Sequence, residues 1–82
     1  MSREHIQDAV RRSLLAYFKD LDGQKPTDVY NMIIKTVEKP VLMIVMEQAG
    51  FVQSHAAEML GINRNTLRKK LAEHDLLDMD AM

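Results

Sequence analysis

Four of the chain's eleven cationic side chains, Arg64, Arg68, Lys69 and Lys70, fall within seven residues that contain no acid. Asn63, Asn65 and Thr66 stand among and before them. Leu67 and Leu71 recur at helical spacing in the same stretch, GINRNTLRKKL (61–71). The segment therefore reads as a helix with an apolar inner edge and a cationic, amide-rich outer one. Such an edge suits nucleic acid. A guanidinium such as that of Arg64 pairs bidentately with guanine, and Asn63 or Asn65 can bond base edges or phosphate. Thr66, Arg68, Lys69 and Lys70 suit phosphate oxygens, which position a protein without reading sequence. A solvated charged helix face is the competing reading, since the net charge is −1. The distribution of charge matters more than its sum, and the acids Asp75, Asp78 and Asp80 gather afterwards, in the tail.

The elements that must position this segment are helical. Ala56, Ala57 and Leu60 mark the inner face of a short helix beginning at Gln53 or Ser54. Ile62, Leu67 and Leu71 mark that of the next, which begins at Asn63 or Arg64 and runs to about Glu73. Gly61 permits the positive φ of a tight turn between them, and Asn63 offers an N-cap. Two short helices joined by such a turn form a helix-turn-helix, whose second helix enters the major groove N-terminus first. Ser54 and His55 begin the preceding helix, where backbone amides and a hydroxyl can hold a phosphate.

Upstream, Ile6, Val10, Leu14, Tyr17, Phe18 and Leu21 recur at three- and four-residue spacing, which predicts an amphipathic helix over about residues 4–21 with Ser2 as N-cap. Gly23 and Pro26 stop it. A second long helix starts near Thr27 or Asp28 and extends to about Ala49, with Gly50 ending it. Pro40 lies inside it and predicts a kink or a break into two helices.

The run VLMIVM (41–46) is apolar on every side and must be covered on every side. A chain of 82 residues has little with which to cover it. The apolar positions Val29, Met32, Ile33, Val37, Val41, Met43, Ile44 and Met46 therefore predict a partner, most simply a second copy about a two-fold axis. Val37, Val41, Met43, Ile44 and Met46 are the expected dimer core, and an unusually well-packed monomer is the alternative. The seven methionines suit irregular packing.

At this point a resemblance carries further. AAEMLGINRNTLRKKL matches the helix-turn-helix of Fis, the bacterial nucleoid protein, and of the Fis-like domain that ends NtrC-type activators. The upstream stretch AYFKDLDGQKPTDVYNMIIKTVEKPVLMIVM resembles Fis in spacing, including the proline in the long helix. The resemblance covers nearly the whole chain. It implies an all-α, four-helix protomer in an intertwined homodimer, one Fis-like domain over residues 1–82. About residues 1–50 would dimerise, and residues 51–82 would form the DNA-binding unit and a short acidic tail. It implies Asn63 and Arg64 as base-facing, and Thr66, Arg68, Lys69, Lys70, Gln53 and Ser54 as backbone-contacting. Recognition helices too close for straight DNA imply a bent duplex, with shape contributing to specificity. A nucleoid-associated regulator in the cytoplasm is the expected role.

Some positions depart from Fis. The first helix begins almost at Met1, where Fis carries long arms that contact a recombinase, so that contact is not expected. Val52 stands where Fis has a polar residue, and His55 where it has arginine. Ala72 and Glu73 replace lysines, which predicts a shallower salt dependence. Two other binding readings stay open: a local regulator with few targets, and a helical interaction module without DNA. A trimmed piece of an NtrC-type activator is a further possibility. Catalysis has little support. There is no cysteine, His5, His55 and His74 lie in separate segments, and no phosphate-binding glycine loop is present. No cofactor or metal is expected, and no apolar run approaches the roughly 20 residues of a membrane span.

Overall fold

The computed structural model describes residues 2–78. Met1 and residues 79–82, including Asp80 of the acidic tail, lie outside the described residues. Four helices follow one another: α1 (Arg3–Asp20), α2 (Val29–Gln48), α3 (Gln53–Leu60) and α4 (Arg64–Glu73). The described residues contain no strand, so the fold is all-α. Pro40 does not break α2, which is one continuous helix of 20 residues.

Two expected caps are not made. Ser2 and Asp28 occupy the N-cap positions of α1 and α2, but neither side chain accepts a cap bond from a backbone amide of its helix. Asp28 sits in the left-handed region at φ 55, and its carboxylate instead accepts from the Asn31 side chain at 3.3 Å. The cap at α4 does form. Asn63 accepts from the Thr66 amide at 2.8 Å through its side-chain oxygen.

The three C-terminal helices end in the same way. A left-handed residue follows each: Gly50 (φ 66), Gly61 (φ 76) and Asp75 (φ 58). The next amide then reaches back to the helix: Phe51 to the Met46 carbonyl at 2.8 Å, Ile62 to that of Ala57 at 3.1 Å, Leu76 to that of Leu71 at 2.7 Å. This reversal satisfies terminal carbonyls and folds the following apolar residue back on the helix. Phe51, Ile62 and Leu76 thereby all join one core. A Cβ at Gly61 would meet nothing within 4 Å, so the turn demands glycine for its backbone conformation rather than for space.

The buried members of that core are Leu42 and Met46 of α2, Ala56 and Ala57 of α3, Leu67 and Leu71 of α4, and Leu76. The apolar run of α2 therefore divides by face. Leu42 and Met46, four residues apart, turn toward α3 and α4, while Val41 and Ile44 remain 43% and 54% exposed. Met46 stands apart from the other apolar residues expected at a dimer core. Unlike Val37, Val41, Met43 and Ile44, it is wholly buried within the single chain, against its own helix-turn-helix. Val37 and Met43 keep exposed surface.

By contrast, α1 buries no residue. An open apolar groove of about 650 Å³ runs between it and α2, lined by Ile6, Val10, Val37, Val41 and Ile44 among others. The radius of gyration is 15.2 Å, whereas a compact domain of this length has about 12 Å. No helix among the described residues is long and apolar enough to cross a membrane.

Candidate nucleic-acid interface

The helix-turn-helix core dictates what its outer surface can present. With Leu67 and Leu71 fixed inward, Arg64, Asn65, Arg68 and Lys69 lie on the exposed part of α4. Asn63 and Thr66 are exposed as well and are tied to each other by the cap. The bond holds the Asn63 side chain at the end of the helix, where the amides of the first turn are still open to an acceptor.

The start of α3 comes to the same place. Gln53, Ser54, Arg64, Asn65 and Arg68 line one polar depression of about 550 Å³, together with Phe51 and Val52. Ser54 and His55 are exposed and Gln53 is half-buried. His55, Asn63, Thr66 and Lys69 do not line that depression. Phe51 is an addition to the site that sequence reasoning passed over. Its signal was its place directly after Gly50, where a helix reversal folds a side chain inward. Val52, 42% exposed, puts an apolar group beside the donors of Gln53 and Ser54.

Charge pairing separates the four cations. Among the described residues, Arg64, Arg68 and Lys69 make no ion pair. Lys70 does. Its ammonium donates to Glu38 of α2 at 2.8 Å, and it is only 34% exposed. Lys70 thus differs from its three neighbours: three residues past Leu67, it lies toward α2 and is held by Glu38. Its hydrogen bond with Glu38 raises the Lys70 pKa, and the same bond is the chief cause lowering that of Glu38. His74 Nε2 lies 3.0 Å from the second oxygen of Glu38. Glu38 and His74 have no place in the sequence-derived site. Their signal was position: Glu38 stands four residues before Leu42, and His74 three after Leu71.

The arrangement offers donors in a fixed layout and no reactive centre. Among the described residues no three His, Asp or Glu side chains gather as a metal site.

Known proteins share this layout of sequence. A family model described as bacterial regulatory protein, Fis family, matches residues 33–74, from the middle of α2 to the end of α4. A protein of Ralstonia nicotianae is 54% identical over 77 residues, covering 94% of this chain and all of the relative. One from Neisseria meningitidis serogroup A is 57% identical over 72 residues, covering 88% of this chain and 91% of the relative. One from Pseudomonas aeruginosa is 50% identical over 72 residues, covering 88% of this chain and 69% of the relative. All three bear the name "Putative Fis-like DNA-binding protein". A core matched through α2, α3 and α4, with relatives aligned over nearly the full length, places this chain in the Fis family of bacterial regulatory proteins.

Proposed function

We propose that the protein is a two-fold homodimer that binds and bends double-stranded DNA, regulating transcription and organising the nucleoid. The observation that carries this reading is the gathering of Gln53, Ser54, Arg64, Asn65 and Arg68 at one exposed polar depression, with Arg64 and Arg68 free of ion pairs among the described residues. In the DNA complex α4 lies in the major groove. Asn63 and Arg64 face base edges, Asn65 lies beside them, and Thr66, Arg68 and Lys69 hold phosphates. Gln53 and Ser54 meet the backbone at the start of α3, with His55 alongside. The names of the relatives support DNA as the partner.

The dimer explains the other half of the chain. Ile6, Leu15, Phe18, Ile34, Val37 and Ile44 are all more than one-third exposed, and α1 buries nothing. A second copy covers this surface and presents two reading faces related by symmetry. Reading faces close together on one side of a duplex draw it into a bend, and the deformability of the site then contributes to specificity.

The test combines mass and binding. Light scattering at micromolar concentration is expected to give twice the chain mass. A gel shift on a random duplex pool is expected to show Arg64→Ala weakening preferred sequences by about 1–3 kcal/mol, with Lys69→Ala weakening all sequences alike. A folded dimer that ignores DNA at low salt would mark the protein as an interaction module instead.

A further inference from the structure

Glu38 lies one helical turn before Leu42 on α2, and Lys70 and His74 flank Leu71 on α4. The apolar seam between the two helices thus ends in a polar cluster. One Glu38 oxygen accepts from the Lys70 ammonium at 2.8 Å, and the other lies 3.0 Å from His74 Nε2. The side chains are 19% (Glu38), 34% (Lys70) and 8% (His74) exposed. Glu73, also on α4, is the other acid acting on Lys70. Exposed ion pairs contribute little. This one is sheltered, and a single carboxylate engages two donors one turn apart on the same helix. Such a grip resists both sliding and rotation of α4 against α2.

We propose that Glu38 is a positioning residue for DNA recognition: through Lys70 and His74 it fixes the direction of α4 relative to α2, and Lys70 acts on Glu38 rather than on phosphate. This rests on the DNA-binding reading above. In a two-fold dimer α2 belongs to the shared core, so the direction of α4 from α2 sets the separation of the two reading faces. A duplex with fixed groove spacing is sensitive to that separation.

The test is a salt series of binding to a random duplex pool, with the full chain, below the melting temperature of every variant. Lys69→Ala is expected to flatten the slope of log affinity against log salt by about 0.9, one phosphate contact. Lys70→Met is expected to keep the wild-type slope while losing affinity about tenfold. Glu38→Gln removes the charge that holds both Lys70 and His74 and is expected to lose at least as much, and the double variant Glu38→Gln/Lys70→Met loses no more than Glu38→Gln alone, because the Lys70 contact is then already weakened. Lys70→Arg, which keeps a donor for Glu38, retains wild-type affinity. A Lys70→Met slope as shallow as that of Lys69→Ala overturns the proposal, since Lys70 would then touch phosphate. Wild-type affinity in both Lys70→Met and Glu38→Gln overturns it as well. If Glu38→Gln does not fold, the Lys70→Met slope and affinity decide alone. Failure of the wild type to bind at low salt would remove the DNA reading itself, a result distinct from either of these.

Discussion

The two halves of this chain solve the problem of a small core differently. From Leu42 onward, three short elements close on themselves. Seven side chains from Leu42 to Leu76 are buried, and three helix reversals aim Phe51, Ile62 and Leu76 at the same centre. Before Leu42, eighteen residues of α1 bury nothing, and α2 offers an apolar face to an open groove. The difference lies in how the apolar residues are spaced relative to turns. In the C-terminal half, a left-handed residue follows each helix, at Gly50, Gly61 and Asp75, and the next amide folds the chain back onto it. In the N-terminal half, two long helices are joined by one loop and have only each other to cover them. A local core is complete in one chain, and the extended apolar face is the one that the proposed second copy would cover.

This contrast can be broken or sharpened, beginning with the largest effect. Leu67→Ala removes a side chain that is wholly buried and is expected to cost about 2–5 kcal/mol. Leu15→Ala, at a position 65% exposed, should shift the melting temperature little in conditions where the chain is monomeric. Equal losses in thermal melts of the two variants would erase the distinction between the halves. Ile44→Asp, at a position 54% exposed in the single chain, is expected to weaken self-association about 100-fold or more, because it buries an unpaired carboxylate between copies. Sedimentation should then show monomers that keep the helical signal of the C-terminal half. An unchanged dimer would place the interface elsewhere.

Smaller effects separate structure from contact at the head of α4. Asn63→Ala loses the 2.8 Å cap on Thr66 and is expected to destabilise by about 1 kcal/mol. Asn63→Ser should restore the melting temperature but not the DNA affinity, since serine caps without reaching as far. The smallest effect concerns pH. The Glu38 carboxyl is held below its ordinary 4.5, so its contribution is complete above that value and is lost as pH falls through the lowered one. The Lys70 ammonium is held above its ordinary 10.5, so its contribution is complete below that value and is lost as pH rises through the raised one. Acid melts of wild type and Glu38→Gln should therefore stay apart above pH 4.5 and converge as pH falls below the lowered Glu38 value. Parallel curves would mean that the pair contributes nothing to stability.

Much of the C-terminal half was legible in the sequence because its signals are local. The glycine after Leu60, the asparagine before Arg64 and the 3–4 spacing of Ala56, Ala57, Leu60, Leu67 and Leu71 each act over one turn of chain. The order of four helices followed from the same kind of signal. Contacts between distant segments were not legible. Nothing near Lys70 in sequence announces Glu38, 32 residues away, so four neighbouring cations read as one group although one of them is paired with α2. The burial of Met46 was hidden in the same way. In an all-apolar run periodicity cannot say which face meets which neighbour, and Met46 belongs to the face that packs on α3 and α4. The missing cap at Asp28 shows that a residue able to cap still requires the right backbone, since Asp28 takes a left-handed one.

The account turns on whether the exposed face of α3 and α4 reads DNA. The most direct measurement is a gel-shift titration of the full chain and Arg64→Ala on a random duplex pool at low salt, with selection of the bound fraction. The account predicts that the wild type binds and enriches a preferred sequence. Arg64→Ala should stay folded, bind more weakly by about 1–3 kcal/mol and enrich little. Equal enrichment by the two proteins, or no binding by a folded wild type, would contradict it.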